Sequence, residues 1–284
     1  MKSILVGVDG TDRGRQALKW ASRYAAREGA SLTLLSVVDP AIEKAAGMDG
    51  AAVESSVEAT LAEARQLVAE RYPGTEVRTE LVRGKVIDCL VEAAAAHDMI
   101  VMGSHHGASV GETVGGAKGL RVSVSVDVPT VVVPADWEWD FQGDGIVVAV
   151  GPDDSSENAV EFGVRESLAD GVPVDLVSAW GLPALLSRPA EVMGGGLGPV
   201  GEQFKHNLDV RVAQLKEQHP DLEISCHAVE GPSPTRVLLD YSKNKKLLVL
   251  GTHSRSALGR TLFGSVTHSV LLNLSVPTVV VPQR

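Results

Sequence analysis

The first residue with an evident chemical use is Asp9, which directly follows the apolar run from Ile4 to Val8. A carboxylate at the end of a buried strand can accept hydrogen bonds from ribose hydroxyls or from the amino group of a base. The alternative role is to cap the following helix, for which Thr11 and Asp12 are equally suitable residue types. The sequence supports both roles, and we predict that Asp9 contacts a ligand.

Two glycine-rich loops are the second chemically informative feature. They are residues 103–119, GSHHGASVGETVGGAKG, and residues 251–269, GTHSRSALGRTLFGSVTHS. Glycines at the end of a strand let the backbone approach a ligand closely. A Gly-Ser pair that opens a helix offers free amides, a hydroxyl and the positive end of the helix dipole to an anion. These loops therefore predict phosphate binding.

The loops are similar because the chain is an internal repeat. Residues 4–20 align without gaps on residues 146–162, and residues 98–134 align on residues 246–282 with 14 of 37 positions identical. Both copies end in VPTVVVP. Self-similarity over this length indicates two related domains. We predict domains at residues 1–134 and 146–284, joined by an acidic linker at residues 135–145.

Each copy alternates apolar strand patterns with amphipathic helix patterns. In the first copy the strand patterns are ILVGV, LTLLSVV, EVRTELV, MIVMG and TVVVP. Helices are predicted after Asp9, at Val53–Tyr72, at Val86–Ala96 and before the last strand. Near-continuous apolar strands separated by helices are typical of a parallel sheet covered on both faces. The predicted fold class is therefore α/β, with five strands in each copy.

These motifs together resemble the universal stress protein family in its tandem two-domain form. The resemblance rests on VGVDG at residues 6–10, on the spacing Gly-x2-Gly-x9-Gly-Ser after the fourth strand, and on the closing PTVVVP, and it spans nearly the whole chain. It implies in each domain a five-stranded parallel sheet of order 3-2-1-4-5 with helices on both faces. It also implies ATP, or ADP or AMP, as the ligand, and it does not specify a metal.

The resemblance assigns nucleotide-binding positions to both copies. In the first copy they are Gly7, Asp9, Gly103, Gly107, Gly116 and Ala117, and in the second they are Gly251, Ser254, Gly264 and Ser265. The first copy departs from the pattern at His106, which occupies the second glycine position, and at Ala117, which replaces a Ser or Thr. The second copy has Gly151 where Asp9 would be. We therefore expect the first cleft to fix the nucleoside better and the second cleft to hold phosphate better, with Arg255 and Arg260 in its loop.

The closing strands predict how the two copies associate. Three consecutive valines at a sheet edge would favour aggregation unless another strand covers them. We therefore expect the domains to pair through Val131–Val133 and Val279–Val281, and a homodimer is a further expectation from the family.

Charge and composition exclude several other functions. The net charge of −10 argues against a surface that neutralises nucleic-acid phosphates. No apolar stretch reaches membrane-spanning length and the N-terminus does not resemble a signal peptide, so we expect no membrane partner and a cytoplasmic location. Cys89 and Cys226 lie in no CxxC motif, which argues against a zinc site or a disulfide framework.

The predicted function is a nucleotide-binding stress-response or regulatory protein without fast catalytic turnover. The chain has no nucleophile and base, metal-ligand cluster or carboxylate pair at a recognisable catalytic spacing. An ATP hydrolase or nucleotidyl transferase would need a further acid or base after the first strand, where the chain reads DGTD. The alternative is a protein-interaction or dimerisation module with degenerate nucleotide clefts, which the departures in both loops favour.

Overall fold

The computed structural model describes residues 2–47, 49–104, 118–151, 156–180, 198–231, 233–252 and 265–283. The chain divides into two compact units, Met1–Phe141 and Gln142–Arg284. The boundary between the units lies inside the segment for which the sequence predicts a linker.

The first unit alternates strands and helices along the chain. Its elements are β1 (Ser3–Gly7), α1 (Asp12–Glu28), β2 (Ser31–Val38), α2 (Pro40–Ala46), α3 (Gly50–Arg71), β3 (Val77–Arg83), α4 (Val86–Ala94), β4 (Met99–Gly103), α5 (Lys118–Ser125) and β5 (Thr130–Val133).

The five strands of this unit form a parallel sheet of order β3-β2-β1-β4-β5, which confirms the predicted order. The side chains of Leu5 and Ile100 are fully buried and pack with Leu90 of α4 and Val122 of α5. Helices α1 and α3 also contact the sheet. The chain runs from β1 to β2 and β3 in one direction and returns through β4 and β5 in the other, so the strand order reverses between β1 and β4.

Helix α1 shows why the sequence folds in this way locally. The Thr11 side chain caps its first turn by accepting a hydrogen bond from the Gly14 amide at 3.1 Å. The helix ends at Gly29, which has a φ of 63° and therefore adopts the left-handed conformation that favours glycine. The spacing of its apolar residues puts Ala17, Leu18, Ala21, Tyr24 and Ala25 on one helical face, and all five are buried.

Helix α2 is an element that the sequence prediction lacks. The side chain of Asp39 accepts a hydrogen bond from the Ala41 amide at 2.9 Å, Pro40 occupies the first turn, and Gly47 ends the helix with a φ of 64°. These are standard start and stop signals, but they enclose only seven residues, too few to show a helical period. The neighbouring boundaries also differ from the prediction, since α3 begins at Gly50 and α4 ends at Ala94.

The second unit repeats the same plan. Its elements are β6 (Ile146–Ala149), α6 (Glu157–Asp170), β7 (Val174–Trp180), α7 (Gly198–Gln218), β8 (Ile224–Glu230), α8 (Pro234–Ser242), β9 (Leu247–Gly251), α9 (Ser265–Leu271) and β10 (Thr278–Val281). Its parallel strands follow the order β8-β7-β6-β9-β10, so each unit has the 3-2-1-4-5 arrangement. Val147, Leu248 and Val270 are fully buried in its core.

A polar cluster centred on Asp175 links two strands of the second sheet. Asp175 accepts a hydrogen bond from the Ser225 hydroxyl at 2.5 Å and forms an ion pair with Lys245 at 3.1 Å. Burial alone would raise the pKa of this carboxyl group. The hydrogen bonds from Ser225 and Lys245 outweigh burial and hold the pKa below its usual range.

The linker segment makes contacts on both sides of the unit boundary, each within its own unit. In the first unit, the Trp139 indole donates a hydrogen bond to the Tyr72 hydroxyl at 3.1 Å, and Arg23 donates one to the Phe141 carbonyl at 3.0 Å. In the second unit, the Asp144 amide donates to the Asn244 carbonyl at 3.0 Å. The end of the first unit is therefore fixed by packing against α1 and α3.

Candidate functional site

A cavity of about 420 Å³ opens at the carboxyl ends of the strands in the first unit. Gly7, at the end of β1, and Gly103, at the end of β4, both line it. Ligands of open parallel sheets bind at this edge, where the strand order reverses. The volume lies in the range of small-molecule sites. The fold therefore places the predicted Gly7, Asp9 and Gly103 together around one cavity.

The walls of the cavity are mostly apolar. They include Val37, Val57, Val86, Leu90 and Met102, which come from β2, α3, α4 and β4. A flat aromatic ligand group could be buried between such side chains, because apolar burial is favourable by about 25 cal/mol per Å².

The lining of the cavity also contains charged groups. Asp9, Asp39 and Glu43 contribute carboxylates to the described lining, and Arg13 contributes a guanidinium group. Glu43 is paired with Arg83 at 2.6 Å, which leaves Asp9 and Asp39 against the Arg13 guanidinium group among the described lining residues. This part of the cleft favours hydrogen-bond donors over phosphate groups.

The sequence left two roles open for Asp9, contact with a ligand and capping of the following helix, and the structure distinguishes between them. Thr11 is the N-cap of α1, and Asp9 holds Thr11 in place. The Oδ1 atom of Asp9 accepts hydrogen bonds from the Thr11 amide at 3.0 Å and from the Thr11 hydroxyl at 2.6 Å. Within the described part of the chain both bonds go to Oδ1, so Oδ2 of this exposed residue can accept from a ligand.

Two glycines allow α1 to approach the strand ends. A Cβ atom on Gly14 would lie 2.3 Å from Oδ1 of Asp9, and one on Gly103 would lie 2.5 Å from the carbonyl oxygen of Arg13. Real Cβ atoms do not make contacts this short. Gly103 faces backbone atoms and therefore needs glycine, whereas a Cβ atom at position 14 would force the Asp9 carboxylate to turn away. Gly7 has no such requirement, because its Cβ would meet Leu90 at an ordinary 3.7 Å. Sequence reasoning missed Gly14, since the only available signal was a glycine inside a helical pattern.

A cleft of about 450 Å³ lies beside the end of β6 in the second unit, and its described lining does not include Gly251 at the end of β9. Gly151 lines it, as predicted for the position of Asp9, and its amide donates a hydrogen bond to the Ser156 hydroxyl at 2.8 Å. Helix α7 contributes Phe204 and Arg211, and Arg211 forms an ion pair with Glu157. The described lining of this cleft therefore carries a guanidinium group and lacks a carboxylate.

Of the remaining residues predicted to bind nucleotide, the structure describes some and leaves others outside its described ranges. Gly251 ends β9, Ser265 begins α9 with an exposed side chain, and the Thr267 hydroxyl lies 3.5 Å from the Gly251 carbonyl. The other positions lie outside the described residues: Gly107, Gly116, Ala117, Ser254 and Gly264, together with His106, Arg255 and Arg260.

The described residues include potential metal-ligating side chains, long helices and both cysteines. Across them, no group of three or more His, Cys, Asp or Glu side chains could hold a metal ion. None of the described helices combines the length and apolar character needed to cross a membrane. Cys89 and Cys226 are free thiols, and burial raises the pKa of both.

The two doubly wound sheets, with a cleft at the carboxyl ends of the strands in each unit, define a tandem α/β protein. The model of the universal stress protein family matches residues 1–134 and again residues 144–282. The chain belongs to the universal stress protein family and contains two copies of its domain.

Full-length relatives share this organisation. The chain is 27% identical over 298 residues to a universal stress protein of Mycolicibacterium smegmatis, covering 99% of this chain and 97% of that protein. It is 28% identical over 296 residues to one of Mycobacterium tuberculosis, with the same coverage of 99% and 97%. The crystal structure of a universal stress protein from Archaeoglobus fulgidus matches with a TM-score of 0.69 and 17% identity, over 99% of this chain and 96% of that one. This last match shows the fold.

Proposed function

We propose that the chain is a nucleotide-binding stress-response or regulatory protein whose first cleft binds the nucleoside part of ATP, ADP or AMP. The observation that carries this proposal is the position of Asp9, in the lining of the apolar cavity with Oδ1 held by Thr11. A carboxylate that is fixed through one oxygen presents the other in a defined direction. Ribose hydroxyls are suitable donors for it.

The chemistry of the cavity walls supports binding of the base and of the phosphate groups in different regions of the cleft. The apolar wall suits a base, and the excess of carboxylates among the described lining residues disfavours phosphate beside Asp9. We assign phosphate binding to the glycine-rich loops that follow Gly103 and Gly251. We propose further that the second cleft holds triphosphate better, because Gly151 lacks the carboxylate of Asp9 and the loop after Gly251 carries Arg255 and Arg260.

Slow turnover is part of the proposal. No histidine stands among the described lining residues of the first cavity. The Ser36 hydroxyl donates to the Val8 carbonyl at 2.6 Å, and the Thr60 hydroxyl donates to the Ser56 carbonyl at 3.0 Å. Because both protons are engaged, neither hydroxyl is poised as a nucleophile. We expect phosphate release far below the median enzyme turnover of about 10 per second.

Titration calorimetry with adenosine and with ATP tests the nucleoside site. Asp9→Ala should weaken adenosine binding roughly tenfold to hundredfold, since a hydrogen bond to a charged group contributes about 1.5–3 kcal/mol. The matched control is Asp12→Ala, which removes an exposed carboxylate that does not line the cavity. The control should bind as the wild type does. Equal adenosine affinity in the wild type and Asp9→Ala would refute the assignment.

A second candidate function is a protein-interaction or dimerisation module. Gly151 favours it, because this residue leaves the second cleft without the carboxylate that the first one has. Pairing through Val131–Val133 and Val279–Val281, and a homodimer, stay predictions. Absence of binding heat from both adenosine and ATP in the wild type, together with a dimer in sedimentation experiments, would favour this function over the first.

A further inference from the structure

Helix α2 forms one wall of the first cavity although it can have little stability of its own. Ile42 and Glu43 line the cavity, and the Ile42 side chain is 58% exposed, which is unusual for a large apolar residue. A helix of seven residues is too short to persist in water without tertiary contacts. The position of this wall therefore depends on what fastens it.

The fastening group among the described residues is Arg83, the last residue of β3. Its guanidinium group binds Glu43 of α2 at 2.6 Å and Glu54 of α3 at 2.5 Å. The planar guanidinium can bind two carboxylates in fixed directions, which a lysine ammonium cannot do. Arg83 itself does not line the cavity.

The packing around Glu43 shows that this arrangement is close-fitting. A Cβ atom on Gly50, the first residue of α3, would lie 2.6 Å from Oε1 of Glu43. The Glu43 side chain is only 16% exposed, so its charge has limited access to water. Without Arg83, the carboxylates of Glu43 and Glu54 would face each other with no counter-charge between them. Their repulsion would drive α2 away from α3.

The second copy cannot build the same arrangement. In the repeat alignment, residues 69–84 match residues 216–231, so Glu230 occupies the position of Arg83. Glu230 ends β8 as Arg83 ends β3, and it has the opposite charge. The guanidinium bridge is therefore a property of the first unit.

We propose that Arg83 is a positioning residue for the first cleft, which through Glu43 holds α2 against α3 so that Ile42 can pack on a bound ligand. The ligand part rests on the proposed function. The contact of Arg83 with Glu43 affects the position of the cavity wall formed by α2. It does not involve the hydrogen bonds of Asp9.

Hydrogen exchange of the backbone amides of residues 41–47 in the ligand-free protein tests the bridge. In Arg83→Gln these amides should exchange fivefold to tenfold faster than in the wild type. The matched control is Arg78→Gln, on the same strand, where the exposed Arg78 pairs with Glu76 at 2.8 Å. The control should leave exchange in α2 unchanged. Unchanged exchange in Arg83→Gln would overturn the proposal.

Two further measurements separate the bridge from general destabilisation and from the proposed function. Adding Glu43→Gln to Arg83→Gln should restore part of the α2 protection, because it removes the unpaired charge, whereas general unfolding would not be rescued. Adenosine affinity should fall threefold to tenfold in Arg83→Gln and stay at the wild-type value in Arg78→Gln. Failure of the wild type to bind adenosine would contradict the proposed function, while a failed rescue would contradict the bridge itself.

Discussion

Replacement of Gly14 by alanine moves the Asp9 carboxylate without deleting it. Gly14 is the third residue of α1, and a Cβ atom there would lie 2.3 Å from Oδ1 of Asp9. The carboxylate is the far end of a rotatable side chain, so it can turn away from the new methyl group. The hydrogen bonds from Thr11 to Oδ1 and the direction of Oδ2 would then be lost.

The expected magnitudes separate binding from stability. Alanine in a helix is more favourable than glycine by about 1 kcal/mol. Each lost hydrogen bond between Thr11 and Asp9 costs about 0.5–1.5 kcal/mol. The free energy of unfolding should therefore fall by no more than about 2 kcal/mol. Adenosine binding should fall roughly tenfold to hundredfold, because the ligand loses a charge-assisted hydrogen bond of about 1.5–3 kcal/mol.

The assay is titration calorimetry with adenosine, combined with urea unfolding of the same preparations. The control is Gly74→Ala, since a Cβ atom at Gly74 meets nothing within 4 Å. It should change neither quantity appreciably. Wild-type affinity in Gly14→Ala would refute the reasoning, because the carboxylate could then be displaced without consequence for the ligand.

Three further predictions concern stability. Gly103→Ala should destabilise the first unit by about 1–3 kcal/mol in urea unfolding, because its Cβ would meet the backbone of α1, whereas Gly74→Ala should not. Asp175→Asn should lower unfolding free energy by about 1 kcal/mol at pH 7. The pKa of Asp175 is lower in the folded state than in the unfolded chain, so the charged carboxylate stabilises the fold only above that range. The stability difference between wild type and Asp175→Asn should therefore shrink as the pH falls below about 4 and through the folded-state pKa. A difference that stays constant from pH 7 to pH 3 would contradict this prediction. Trp139→Phe should cost about 0.5–1.5 kcal/mol through loss of its hydrogen bond to Tyr72, and wild-type stability would count against that contact.

The strand pattern could be predicted from the sequence because buried parallel strands are continuous apolar runs. ILVGV and MIVMG are examples. Because the chain is a repeat, each strand pattern occurs a second time at the aligned position of the other copy. The strand order came from the family resemblance, since apolar runs alone do not specify which strands are neighbours. Asp9 could be singled out because a charge directly follows an apolar run.

The features that were missed depend on tertiary contacts or on very short signals. The bridge from Arg83 to Glu43 joins residues 40 positions apart, and the contact of Trp139 with Tyr72 spans 67 positions. A single sequence contains no marker for such pairs. The close contact between position 14 and the Asp9 carboxylate is visible only once α1 is placed on the strand ends.

The most direct test of the account is to denature the purified native protein and weigh the small molecules that it releases. The account predicts ATP, ADP or AMP at about one to two equivalents per chain from the wild type. Asp9→Ala should release less, by up to about one equivalent, because the second cleft is unchanged. No nucleotide from the wild type, or equal amounts from both proteins, would contradict the claim that the first cleft binds the nucleoside through Asp9.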